Sequence, residues 1–375
     1  MPDTLIAPPR ATPTSADSWQ GLNTSVLAEW MAREDRLCPP LVAPVARTKR
    51  LTGFQIVATG SYAPENVVSN DDLHRTHGFD PQWVVERTGI VQRRHAPDGV
   101  AASDLCREAC LRCLRAAGAA KEEVDLLIVA THTPDLAMPG AACLVQEQLG
   151  LFCGAFDVQA ACAGFMYALA IAAQFVRSGN ATCCLVVGAD VSSRIVNPAD
   201  QGTYPLFGDG AGAVLLAAGE REQGFLAYQL GTDGSGADLL GRPVGGSRSP
   251  LTVEALRANL HYFQMNGRAV FRWAVETVCR SAGELLHATG LKASDIALFV
   301  PHQANQRIIA AVGQRLGLPT ERVYSNVARY GNTMAGSIPL ALDEAAAEGR
   351  IQRGDRILLS GFGAGLSWGS AIVQW

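Results

Sequence analysis

The sequence predicts an α/β fold in which one strand-and-helix unit is used twice. Three observations predict it. Short, near-continuous apolar runs recur between amphipathic helical segments, as expected of strands buried on both faces between helix layers. The stretch VDLLIVATHTPDLAMPGAACLVQEQLGL (Val124–Leu151) is echoed by SDIALFVPHQANQRIIAAVGQRLGL (Ser294–Leu318): strand, histidine, helix, then Leu-Gly-Leu. Hydrophobic residues make up 48% of the 375 positions and charged residues 18%, enough to bury a large core and unlike a disordered chain.

Taken in order, residues 1–50 read as a poorly ordered N-terminal extension, punctuated by Pro2, Pro8, Pro9, Pro13, Pro39, Pro40 and Pro44, with one short helix near Ser25–Arg33. Asp3, Asp17, Glu29, Glu34 and Asp35 argue against a transit peptide, and a mis-set start codon explains the segment equally well. From Leu51 onward, buried strands are expected at Asp125–Thr131, Thr182–Ala189, Ile296–Val300 and Arg356–Ser360. Helices are expected at Ala101–Ala117, Gly140–Leu149, Gly164–Arg177, Gly267–Ala288, Ala304–Leu316 and Ser337–Glu348, several stopping at glycine.

The internal echo continues past its first segment. ACAGFMYALAIAAQFVRSG leads to the strand TCCLVVGAD as GNTMAGSIPLALDEAAAEG leads to RILLSGFG, and GDGAGAVLL matches GAGLSWGSAIV. The halves are accordingly 51–220 and 221–375, with Cys162 and Asn332 at the starts of equivalent helices.

Composition narrows the function classes. Thirty-one Lys plus Arg against 35 Asp plus Glu give a net charge of -4, so no sequence-wide positive field points to nucleic acid or anionic lipid. Apolar runs such as Thr182–Ala189 and Ala211–Ala218 fall short of the roughly 20 residues that span a bilayer. Ten cysteines without regular spacing suggest reduced thiols and a cytoplasmic location rather than a disulfide framework.

Three polar residues sit at strand-to-helix turns. Cys162 opens a helix, where unpaired N–H groups and the macrodipole favour a thiolate; the position suits a nucleophile or a small core cysteine. His302, between a buried strand and a helix, is equally open to a structural reading. Asn332 is the third, and three such groups at the centre of a repeated fold lie where parallel strands end and ligands bind.

FDVQAACAGFMYAL, VPHQANQRII, YGNTMAGSIPLALDEA, LFGDGAGAVLL and GFGAGLSWGSAIV, five motifs in order from about residue 51 to the end, together resemble β-ketoacyl-acyl-carrier-protein synthase III, a thiolase-fold family. The resemblance implies a homodimer of five-layered αβαβα subunits. It also implies acylation of Cys162 by acyl-CoA, then condensation with malonyl-carrier-protein and loss of carbon dioxide, starting fatty-acid or polyketide chains. His302 and Asn332 would hold the enolate. Backbone N–H groups of Cys162 and of the Gly363-Ala364-Gly365 turn would form the oxyanion hole. No cofactor or metal is implied, CoA thioester being a substrate.

The same resemblance places Trp83 on the CoA adenine, Arg87 at its phosphates and Asn305 in the tunnel. Met138 would cap the partner's acyl pocket, and Arg272, Arg307 and Arg315 would dock the acidic carrier protein. One departure stands out: the family often has Asp-Arg-Gly-Thr where this chain reads Asp200-Gln201-Gly202-Thr203, so an adenine-packing arginine is missing.

Several tempting signals lead elsewhere. Cys106, Cys110 and Cys113 have iron–sulfur-like spacing but lie at i, i+4 and i+7 of an amphipathic helix, which reads as a buried face. The turns Gly208-Asp209-Gly210 and Gly361-Phe362-Gly363 enter strands and lack a P-loop lysine. His132, the first-half counterpart of His302, reads as structural. Other readings of the whole are a thiolase-fold acyltransferase with a non-malonyl acceptor, a non-catalytic dimer partner, and a Cys-His-Asn hydrolase.

Overall fold

The structure is a computed structural model and describes residues 46–375. The helix expected at Ser25–Arg33 and most of the expected extension lie outside the described residues. The first strand begins at Lys49, two residues inside the segment 1–50 that the sequence assigns to the extension.

Ten strands form two five-stranded sheets, numbered here together with two short antiparallel pairs, β3 with β4 and β10 with β11: β1 Lys49–Thr52, β2 Phe54–Tyr62, β3 Val67–Ser69, β4 Gln92–Arg94, β5 Leu126–Ala130, β6 Gly154–Val158, β7 Cys183–Asp190, β8 Gly210–Ala218, β9 Gly224–Thr232, β10 Leu240–Gly241, β11 Gln264–Met265, β12 Leu298–Pro301, β13 Arg356–Gly363 and β14 Ser367–Gln374. The first sheet runs β2-β8-β7-β5-β6 and the second β1-β9-β14-β13-β12. In each, parallel strands at one side (β7, β5, β6; β13, β12) meet antiparallel ones at the other. The halves match strand for strand, with two exceptions. Opposite β6 the second half has only an isolated bridge, Phe299 to Val323, and β1 precedes β2 in the chain yet pairs with β9 in the second sheet.

Side-chain alternation along the strands builds the layers. In β5, Leu126, Ile128 and Ala130 point to a central core while Leu127 and Val129 point outward. In β13, Ile357 and Leu359 join that same central core and Leu358 faces the other way. The central core is filled by the helices Gly164–Arg177 and Ser337–Ala347, which carry no charged residue on their buried faces and pack between the two sheets. Helices Ala102–Ala117 and Ala141–Leu149 cover the outer face of the first sheet, and Gly267–Thr289 and Gln306–Arg315 that of the second. The result is the αβαβα sandwich, and it buries both central helices so that their N-terminal turns meet between the sheets.

Cys106, Cys110 and Cys113 are fully buried in the outer core of the first sheet, as the helical spacing predicts. All the described cysteines are free. Among the described residues no helix is long and apolar enough to cross a membrane, and no group of side chains could hold a metal ion.

Candidate active site

After β6 the chain makes one 3₁₀ turn, Ala161–Ala163, and then enters the helix Gly164–Arg177. Ala161 is held at φ +46°, a left-handed conformation costing a non-glycine residue about 1–3 kcal/mol, which persists only where the surroundings fix it. Cys162 follows directly, 7% exposed. The second half repeats the device: Met334, at φ +48°, opens the 3₁₀ turn Met334–Gly336 ahead of the helix Ser337–Ala347. By this register Cys162 corresponds to Ala335, and Asn332 stands just ahead of its turn.

The thiol differs from the sequence-based expectation. Burial pushes Cys162 well above its ordinary range, the nearby Asp190 carboxylate pushes it further, and a backbone N–H opposes them more weakly. Desolvation of a fully enclosed sulfur outweighs the helix terminus. The resting nucleophile is therefore a neutral thiol.

His302 follows β12, its N–H donating to the Ser360 carbonyl at 2.8 Å. Its ring is 1% exposed, edge-on to Phe362 at 5.1 Å, and burial alone pushes its pKa down to about 3. Nδ1 is buried without a partner, so the neutral ring meets the cavity through Nε2. Asn332 is fixed by the segment before β8: its N–H donates to the Leu206 carbonyl at 2.8 Å and its carbonyl accepts from Gly208 N–H at 3.0 Å. The side-chain Oδ1 accepts the Met334 N–H at 2.8 Å, which leaves Nδ2 to donate into the cavity.

Cys162, His302 and Asn332 share the wall of one cavity of about 440 Å³. Gly363 lines it too, pressed so closely to the cysteine that a Cβ there would lie 2.8 Å from Cys162 Cβ and 2.9 Å from its backbone nitrogen. Absence of that Cβ leaves room beside the Cys162 backbone nitrogen. Ala364 does not line it. Toward the mouth stand Trp83, Arg87, Asn305 and Arg307. Trp83 is half-buried rather than core; Asp80 caps its helix, Pro81–Thr88, by accepting from Gln82 and Trp83 N–H groups. Asn305 has a structural duty as well: Oδ1 caps the helix Gln306–Arg315, and Nδ2 donates to the Arg87 carbonyl at 3.1 Å, tying the two mouth helices together.

Comparison with known proteins identifies the family. Residues 156–234 match the model described as 3-oxoacyl-[acyl-carrier-protein] synthase III, and residues 286–375 match its C-terminal counterpart. A β-ketoacyl-[acyl-carrier-protein] synthase III of Rhodopirellula baltica is 50% identical over 343 residues, covering 87% of this chain and 99% of the relative. The chain belongs to the β-ketoacyl-acyl-carrier-protein synthase III family. Among solved structures, the synthase III of Thermus thermophilus is 44% identical with a TM-score of 0.80, covering 86% of this chain and 99% of that one. A priming β-ketosynthase of a polyketide biosynthetic pathway is 34% identical with a TM-score of 0.80, covering 88% and 98%.

Not every residue singled out in the sequence of this synthase lies in the cavity. Met138 is 86% exposed on a loop away from it. Gln201 is absent from the lining, whereas its neighbour Gly202 contributes. His132 is outside the cavity as well, its Nδ1 3.4 Å from Gln159 Nε2. Arg272 and Arg315 line a separate shallow depression of about 340 Å³, while Arg307 lines the main cavity with its guanidinium 5.7 Å from the Phe271 ring centre. Arg268 was missed by the sequence reading and lines both. Its i, i+4 spacing to Arg272 on one helix face was the available signal. Of the aromatic wall, Phe207 lies inside LFGDGAGAVLL, whereas Phe263 and Phe271 had no motif to announce them.

Proposed function

We propose that the protein condenses a short acyl-CoA primer with malonyl-carrier-protein through an acyl-Cys162 intermediate, and that His302 and Asn332 serve the second step. The observation that carries the assignment is the convergence of a thiol, a neutral imidazole and an oriented amide on one apolar-walled cavity. In the first step the Cys162 sulfur attacks the primer's thioester carbon. The oxyanion is met by the Cys162 N–H beside Gly363, and CoA leaves with the thiol proton. In the second step the malonyl group loses carbon dioxide, and the enolate oxygen is held by His302 Nε2–H and Asn332 Nδ2–H. Its carbon attacks the acyl carbonyl, releasing Cys162 and the β-ketoacyl carrier. A histidine with pKa near 3 is poorly suited to act as the thiol's base and well suited to donate a hydrogen bond while neutral.

Trp83 and Arg87 would receive the CoA adenine and phosphates at the mouth. Arg307 and Arg268 at the cavity, with Arg272 and Arg315 in the adjoining depression that Arg268 also lines, offer a cationic rim for an acidic carrier. A homodimer is supported by β6, an edge strand of the first sheet, whose neighbourhood exposes Leu136, Met138, Phe152 at 93% and Phe156. Free, largely buried thiols suit a cytoplasmic location. Intact mass spectrometry with a panel of acyl-CoAs, followed by malonyl-carrier-protein, tests the reading. One acyl group should add at Cys162, vanish in Cys162→Ala, and discharge on addition of the carrier. Comparable acylation at Cys110 or Cys143 refutes it.

A further inference from the structure

Asp190 ends β7 with no exposed surface and takes no direct part in the two steps above. One oxygen, Oδ1, accepts from Thr131 Oγ1 at 3.2 Å, His132 N–H at 2.8 Å, and Thr133 N–H and Oγ1 at 3.1 and 3.0 Å. The other, Oδ2, accepts the Ala335 N–H at 2.9 Å. Every group on the two oxygens is a donor, so the side chain works as an acceptor only.

The Ala335 contact joins the two halves at the turn beside Asn332. Successive amides of that turn are held by two different side chains, Met334 N–H by Asn332 Oδ1 and Ala335 N–H by Asp190 Oδ2. The same strand accommodates the turn through Gly188, where a Cβ would lie 2.3 Å from the Ala335 carbonyl oxygen. Met334 needs such restraint, because its φ of +48° is one a non-glycine residue adopts only when held.

We infer that Asp190 is a positioning residue for condensation: by accepting the Ala335 amide it fixes the turn that aims Asn332, a restraint that acyl transfer to Cys162 does not require. The inference rests on the role proposed above for Asn332. In Asp190→Asn the volume is kept, but the amide presents an NH₂ to a site made only of donors. Whichever way it turns, one N–H meets another and the Met334–Gly336 turn shifts.

The test is a double-mutant cycle on the full chain with Asp190→Asn, Asn332→Ala and both, reading acylation from acetyl-CoA and decarboxylation of malonyl-carrier-protein separately. Asp190→Asn should lower decarboxylation by about 10²-fold, the scale of an ångström's misplacement, while acylation is lowered by no more than about threefold or rises, since the charge that pushes the Cys162 thiol up is removed. In the Asn332→Ala background it should add less than about twofold, since the group it aims is gone. Should Asp190→Asn fail to fold, Thr133→Val, which keeps the carboxylate and removes one hydroxyl donor, should show a smaller loss with the same split. Multiplicative losses in the double variant, or equal losses in both steps, overturn the inference. Full decarboxylation in Asn332→Ala alone overturns instead the role assigned to Asn332.

Discussion

Replacing Gly363 by alanine adds a single methyl group at the most crowded point of the site. The new Cβ would lie 2.8 Å from Cys162 Cβ and 2.9 Å from Cys162 N. Carbon atoms in contact normally stand about 3.5–4.0 Å apart, so the carbon pair overlaps by roughly 0.7–1.2 Å. The obstructing atoms are the Cys162 Cβ, nitrogen and Cα, held by Ala161 at φ +46° and by the helix behind it, with no flexible side-chain end to give way. Relief must come from moving the Cys162 N–H or β13, and the methyl also occupies space beside that N–H. Losing one oxyanion donor costs about 10² to 10³ in rate, and overpacking of this kind about 1–3 kcal/mol of stability.

Gly361→Ala is the milder comparison, because two residues earlier on β13 a Cβ meets Met166 Cγ at 3.1 Å, Ile338 Cδ1 at 3.2 Å and Ala163 Cα at 3.3 Å, each looser than the contacts at Gly363 with the Cys162 Cβ and nitrogen. Rapid-quench acylation by acetyl-CoA should fall by about 10²-fold or more in Gly363→Ala and by less than about tenfold in Gly361→Ala. Acylation of Gly363→Ala at the parental rate would refute the placement of the oxyanion hole at the Cys162 amide.

Burial holds His302 near 3 in the folded chain against an ordinary 6.5. Between those values the unfolded chain binds the proton and the folded chain does not, so stability should fall as pH drops from 6.5 toward 3, by at most about 1.4 kcal/mol per pH unit. Chemical denaturation at pH 7 and pH 5 should show a steeper loss in the parent than in His302→Ala, and equal slopes would mean that the ring is charged or solvated when folded. The same variant should still accept acyl groups at Cys162 but lose about 10²- to 10³-fold in malonyl decarboxylation, and rapid-quench measurement of each step decides this. Charge reversal at Arg272 or Arg315 should raise the apparent KM for malonyl-carrier-protein and blunt its salt dependence, with little effect on acylation by free CoA thioester; Arg307→Glu should affect both, since Arg307 lines the cavity. Met138 is an unbranched thioether, more adaptable than an aromatic ring. If it caps the partner's pocket, Met138→Phe should favour acetyl over butyryl primers in competition, and an unchanged ratio would remove it from that pocket.

The fold class was legible in the amino-acid pattern, because layered sheets demand near-continuous apolar strands and the duplicated pattern leaves a visible repeat; the strands Leu126–Ala130 and Leu298–Pro301 lie where the paired runs place them. The same pattern also singled out Cys162, His302 and Asn332, each at a strand-to-helix turn where backbone geometry restricts the residue. Their electrostatic state follows from long-range packing instead. Whether a helix terminus or burial controls a thiol depends on how much protein encloses the sulfur, and part of that enclosure is β13, whose Gly363 presses on Cys162 from some 200 residues away along the chain. The same holds for His302, whose neutrality follows from complete burial, and for Asp190, an unremarkable strand-end aspartate in sequence that becomes a restraint on Asn332 only when the turn at Ala335 is folded against it. Local pattern records what one element requires of itself; the charge state and orientation of a side chain depend on neighbours that only long-range packing brings near.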